Sequence, residues 1–262
     1  MKNIFYHKKK CLHLPDNLDE LSPHQYLGIA NLLYDGGNEI ACKVKALRIL
    51  SDISKIRLLL IPSEKISRCL EYVDWIFEAM NITKQLLPSY KGYYGPADEL
   101  DNLKMKEFHF SEHFYHRHLI DKDETALDKL IATLYRKPKS FFKYDRKKNI
   151  DGDLREPFNL NLVEKHAALI SRWPESVKYA IFLFYDGCRQ QFIDDFPMIF
   201  KEPVKSGYQS QYNAGLYGMM LNLAGEKLGR IDQVEEMYVP TALLTLGMMK
   251  EQERFFEEEM KK

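Results

Sequence analysis

The sequence predicts an all-α protein, an irregular multi-helix bundle with two long ordered loops at about residues 87–103 and 137–158. Three observations carry that expectation. Apolar residues recur at three- and four-residue spacing along most of the chain, caps and prolines punctuate those stretches, and no strand-like alternation is sustained. Of the 262 residues 45% are hydrophobic, including 15 Phe and 16 Tyr, so the chain can bury a core and is not disordered throughout.

The helices follow in order. Ser22-Pro23-His24-Gln25 supplies a capping hydroxyl, a proline at the first helical position and a glutamine three after the cap, which predicts a helix to about Tyr34, stopped by Gly36-Gly37. Asn38 caps a second, with Ile40, Val44, Leu47, Ile49 and Leu50 along one stripe. Pro62-Ser63 opens a third through Ile66, Leu70, Val73, Ile76, Phe77 and Met80. Asn102 is expected to cap a helix over about 104–119, and Asp123 one carrying Leu127, Leu130, Ile131 and Leu134 that ends before Pro138. A helix is expected near 160–172. After it, Pro174 opens a long helix so apolar all round that it belongs in the core, with Gly187-Cys188 as a point of close packing. Further helices are expected near 213–228 and from Pro240 to the Glu-rich end, with Gly225 and Gly229 as a helix exit.

Residues 1–17 read as a basic tail and 18–262 as one helical domain, in which the 137–158 loop separates two helical halves. No stretch has the apolar length of a secretory signal or a membrane span, and Cys11, Cys42, Cys69 and Cys188 are too scattered for a zinc or redox pair. A cytoplasmic protein with free thiols and no membrane partner is expected. The 38 Lys+Arg balance 38 Asp+Glu, which removes the basic excess of a nucleic-acid binder. The 137–158 loop still interleaves Lys143, Arg146, Lys147 and Lys148 with Phe141, Phe142 and Tyr144, the residue types that neutralise phosphates and stack on bases. A nucleic-acid-binding accessory protein is therefore the lesser alternative.

The phosphate-loop, dinucleotide and nucleophile-elbow motifs are missing. One segment has the residue types and spacing of a metal site. Four of the eight histidines fall within residues 109–118, and His109, Glu112 and His113 form H-x-x-E-H. On a helix, His109 and His113 share a face, where two imidazoles can hold zinc while Glu112 activates water. A third ligand would come from a later acid such as Glu164 or Asp186. A zinc-dependent hydrolase is the alternative that follows.

The sequence also resembles a known group. Residues 94–103 (YGPADELDNL) followed by Glu107-Phe108, residues 126–136 (ALDKLIATLYR), Arg155-Glu156-Pro157-Phe158, residues 183–189 (LFYDGCR), and residues 212–246 with Leu216-Tyr217-Gly218-Met219-Met220 and Asp232-Gln233-Val234 are similar to signatures of tail-module proteins of phages and prophages of Bacteroides-type bacteria. The likeness spans about residues 18–250. It implies a non-enzymatic tail assembly protein, chaperone-like or structural, with no cofactor. The implied partners are phage tail proteins, including the long helical tape-measure protein. Adaptable apolar and aromatic side chains suit such a client, which makes Tyr93, Tyr94, Met219, Met220, Met248 and Met249 the candidate contacts.

Overall fold

Ser22 accepts from the Gln25 amide while the Gln25 side chain accepts from Ser22, and this reciprocal cap starts α1 (Pro23–Asp35) where the sequence predicts it. A computed structural model describes residues 2–7, 10–78, 82–139, 152–200, 215–225 and 228–260. Among them the fold is all-α, with twelve helices and two short hairpins. The residues divide into two compact units, Met1–Leu87 with Arg172–Cys188, and Pro88–Ser171 with Arg189–Lys262. The sequence expects one helical domain interrupted by a loop; each unit instead takes two separate stretches of chain.

In the first unit, α1 packs on α2 (Glu39–Leu50), which Asn38 caps as expected. α3 (Lys55–Leu59), a five-residue helix that the sequence does not announce, precedes α4 (Ser63–Leu70). The periodicity that predicts one helix to Met80 breaks at Leu70. The chain tightens there into a 3-10 helix, Glu71–Phe77, whose Val73 and Ile76 are buried; Met80 lies outside the described residues. Where a basic tail is expected, strands β1 (Lys2–His7) and β2 (Lys10–Leu14) pair antiparallel.

The core of this unit forms around α8 (Glu175–Asp195), whose residues through Cys188 belong to it. Ala180, Ile181, Phe184, Tyr185 and Cys188 are buried, as the all-round apolar pattern predicts, and the buried Tyr26 hydroxyl donates to the Ala180 carbonyl. At Gly187 two backbones meet. A Cβ there would lie 2.2 Å from the Ile82 carbonyl oxygen and 2.6 Å from its nitrogen, so no other residue fits without moving the 82–83 segment. The Cys188 thiol faces the Thr83 carbonyl beside this contact.

The second unit stacks α5 (Met105–Leu119), α6 (Ala126–Leu134) and α7 (Leu160–Ile170) in chain order. α10 (Gly215–Leu223), α11 (Ile231–Glu235) and α12 (Val239–Met260) pack against α5, and the short α9 (Pro197–Phe200) packs on α12. The starts of α5 and α12 are tied together. Met105 donates to the Met237 carbonyl, Val239 donates to the Leu103 carbonyl, and both Lys104 and Lys106 pair with Glu236. The first expected loop is ordered. It holds the hairpin β3 (Ser89–Tyr90) and β4 (Tyr93–Tyr94), whose turn puts Lys91 and Gly92 at φ 47° and 76°, the conformation a two-residue hairpin turn needs. In the second loop Pro138 pairs with Arg155, and residues 140–151 lie outside the described residues.

Among the described residues no helix is long and apolar enough to cross a membrane. Gly187→Ala is expected to destabilise the protein by about 2–4 kcal/mol, because the added methyl meets backbone rather than a movable side chain. Urea unfolding followed by circular dichroism measures it.

Candidate functional site

The densest concentration of polar side chains in the second unit is a buried ion cluster. Its members are Glu107 on α5, Arg136 just beyond α6, and Asp153 and Arg155 on the returning strand of the 137–158 loop. Arg155 is the largest fully buried side chain among the described residues. Its Nε donates to Asp153 Oδ1 and its Nη2 to Asp153 Oδ2, each at 2.9 Å, a two-pronged grip on one carboxylate. Its remaining donors reach the Leu134 and Asn102 carbonyls, both at 3.1 Å. Arg136 Nη1 lies 3.0 Å from Glu107 Oε2, and Arg136 also donates to the Thr133 and Glu156 carbonyls. Burial lowers the Arg136 pKa, with Glu107 opposing and Arg155 adding to it; the guanidinium stays cationic.

Two positive and two negative groups thus balance in the interior, and the two Arg forks satisfy four backbone carbonyls from three stretches of chain: Asn102, Thr133 and Leu134 at the end of α6, and Glu156. Asn102, predicted as a helix cap, serves this cluster instead. Its side-chain oxygen accepts from the Ala97 amide and faces Arg155, while α5 starts at Lys104 with no side-chain cap. Asp123, also expected as a cap, accepts from the Thr125 amide and hydroxyl, but the cap position of α6 is Thr125, which makes no side-chain cap bond.

A second cluster lies beside the first. Tyr93 Oη is 3.0 Å from His166 Nδ1, and His166 Nε2 is 3.5 Å from Glu156 Oε1. Burial pushes the His166 pKa down, with Lys137 and Lys165 adding to it and Glu156 opposing, and burial pushes the Tyr93 pKa up. A neutral His166 can accept from the Tyr93 hydroxyl, with the Glu156 carboxylate near its other ring nitrogen. Lys137 Nζ sits 4.1 Å from the centre of the Tyr93 ring. Arg136, Glu156, Phe158 and His166 border a cavity with room for about one water molecule. The order tyrosine–histidine–carboxylate is that of a nucleophile, base and orienting acid. Here Tyr93 is 3% exposed, so its hydroxyl anchors the hairpin to α7. His166 and Glu156 carry no sequence signal for this role, because 73 residues separate Tyr93 from His166.

The histidine segment forms α5 as predicted, with His109 and His113 one turn apart. His109 is half-buried beside the rings of Phe110 and Tyr217, and burial lowers its pKa, helped by His113 and opposed by Glu235. His113 is exposed. Glu112 points to α8, where both its oxygens lie 2.9 Å from Arg189 Nε, and the same guanidinium lies 4.8 Å over the Tyr115 ring. Glu164 pairs with Lys129, and Asp186 belongs to the first unit. Among the described residues no group of three or more His, Cys, Asp and Glu side chains is placed to hold a metal ion.

The other candidates scatter. Tyr93 and Met220 are buried, Tyr94, Met219 and Met249 are half-buried, and Met248 is 56% exposed. Lys143, Arg146, Lys147 and Lys148 lie outside the described residues. Three of the segments singled out in the sequence (94–103 with Glu107, 126–136, and 155–158) meet at the ion cluster, and a fourth supplies Arg189. Comparison with known protein families, characterised proteins and solved structures finds no match for this chain.

Arg155→Met is expected to cost about 3–5 kcal/mol, because it strands Asp153 and half of Glu107 in the interior. Denaturant unfolding checks it, and the double variant with Asp153→Leu should lose less than the sum of the two single changes. A pH dependence follows from His109 and His166. Both are more acidic folded than unfolded, so between the two values the unfolded chain holds more protons and stability rises with pH. The urea midpoint should therefore fall as pH drops below about 6.5, the ordinary histidine value. His109→Phe, which keeps the ring contacts, should flatten part of that fall.

Proposed function

We propose that this protein acts by protein–protein contact, as a non-enzymatic assembly protein for a long helical client. The observation that carries this reading is apolar surface in solvent on two packed helices. α10 leaves Tyr217 and Leu221 exposed, and α12 leaves Leu244 and Met248 exposed, each pair four residues apart and so on one helix face. Pairs at this spacing suit an amphipathic helix of a partner, whose own apolar residues recur every three or four positions. Met248 is one of the contacts expected from the sequence, and its flexible thioether adapts to varied client side chains. Leu244, Tyr217 and Leu221 join it here.

The family resemblance supplies the client class, a tape-measure-like protein of a phage tail, and with it a place of action in the cytoplasm of the producing cell. Two features favour contact over catalysis. Glu112, the base of the hydrolase alternative, already accepts from Arg189 through both oxygens, and the cavity beside Tyr93 and His166 admits about one water.

Affinity capture of the tagged protein from phage-producing cells, read by mass spectrometry, tests the proposal. Recovery of a very long, largely helical tail protein is expected. The pair Leu244→Asp and Met248→Asp should cut that recovery at least tenfold with the helical spectrum unchanged. Recovery without any tail protein overturns the reading.

A further inference from the structure

Two other groups of apolar side chains stand in solvent, and they differ in charge. On and just after α3, Ile56, Leu59 and Leu60 are 74%, 75% and 78% exposed. Their spacing puts them on one face, beside the exposed Lys55 and Arg57. On the last turns of α12, Phe255, Phe256 and Met260 are 58%, 62% and 83% exposed. Phe256 and Met260 share a face and Phe255 adjoins it. Residues 251–260 hold five glutamates against Arg254, and Lys261 and Lys262 follow them.

We propose that the last turns of α12 dock on the Ile56–Leu59–Leu60 face of a second copy of this chain. The charges select that occupant. Glutamates of one copy would meet Lys55 and Arg57 of the other, while the aromatic and methionine side chains cover the three aliphatics. Like-with-like pairing is disfavoured, since two α12 ends would bring glutamates together and two α3 faces would bring cations together. Each copy therefore gives one surface and receives on the other. Two copies that exchange both contacts close as a two-fold dimer, and copies that share one contact continue into a ring or an open chain. The contact leaves Tyr217, Leu221, Leu244 and Met248 unused, so it stands independently of the client surface.

Six apolar side chains make a small interface, for which association in about the micromolar range is expected. The flanking charges are exposed, so added salt should weaken it. Sedimentation velocity of the full chain across about 5–200 micromolar tests the proposal at low and high salt. The wild type is expected to shift from monomer to larger species, less so at high salt. A variant blocked on α12 (Phe256→Asp with Met260→Asp) and one blocked on α3 (Leu59→Asp with Leu60→Asp) should each stay monomeric. Mixed in equal amounts they should form a dimer that grows no further, because each keeps the half the other lacks. If the α3-blocked variant loses helical signal, Lys55→Glu with Arg57→Glu replaces it and should weaken association at least tenfold. A wild type that stays monomeric, as docking within one chain would give, overturns the proposal. So does a blocked variant that associates like the wild type, or a mixture that does not associate.

Discussion

The second unit depends on burying the Arg155 guanidinium. A charge taken out of water loses several kcal/mol of hydration, which close opposite charges and hydrogen bonds from its donors can offset. Arg155 meets that demand with a forked grip on Asp153 and bonds to the Leu134 and Asn102 carbonyls. Each partner then fixes a different stretch of chain: the end of α6, the approach to α5 and the returning strand of the 137–158 loop. Arg136 repeats the pattern with Glu107 and the Glu156 carbonyl. A purely apolar core could pack as tightly and tolerate a shift of register. Two planar forks facing fixed carbonyls cannot, so the cluster sets the order in which α5, α6 and the loop return meet.

That constraint explains what the sequence could and could not reveal. α1, α2, α5, α7, α8 and α12 are legible because their signals are local: Ser22 and Gln25, Asn38, Pro174, Pro240 and apolar stripes within one element. α3 and α9 are too short to show a period. The stripe through Val73 and Ile76 persists while the backbone tightens from α-helix to 3-10, since both conformations bury those two residues. The ion cluster is invisible for a different reason. Its members sit at 102, 107, 136, 153 and 155, and Arg155 and Asp153 look like ordinary charges of a hydrophilic loop until the fold removes water from them. Asn102 illustrates the ambiguity, since a short amide before a helix is as apt for a cap as for a buried contact.

The histidine helix shows how a motif and a fold can use the same residues differently. H-x-x-E-H fixes the spacing of side chains on one helix and nothing about what faces them. In α5 the faces belong to different neighbours. Glu107 enters the ion cluster, His109 lies against Tyr217 of α10, Phe108 against Phe192 of α8, and Glu112 meets Arg189. A helix surrounded on several sides needs polar residues that reach specific partners and aromatic residues that fill between them. The alternation of His, Glu, Phe and Tyr along residues 107–118 supplies both, and the same composition reads as a metal site when the neighbours are unknown.

The distribution of polar and apolar groups bears on function. Arg136, Arg155, Glu107, Asp128 and Asp153 are inside the second unit, while Leu244, Met248, Phe255, Phe256 and Met260 lie outside on a single helix. Single exposed apolar residues are ordinary on any surface. Five on one helix, the last three amid glutamates, leave α12 short of cover along much of its length. Leu244 and Met248 offer a neutral apolar surface, whereas Phe255, Phe256 and Met260 stand among glutamates and suit a basic one. The α3 face carries Lys55 and Arg57 around three exposed aliphatics, so the chain holds both members of that second pair. A protein that binds its own kind with one end of a helix and a client with the other can line up copies along an extended partner. Each neighbour then adds its contact at a high effective concentration, so several weak contacts hold where one would not.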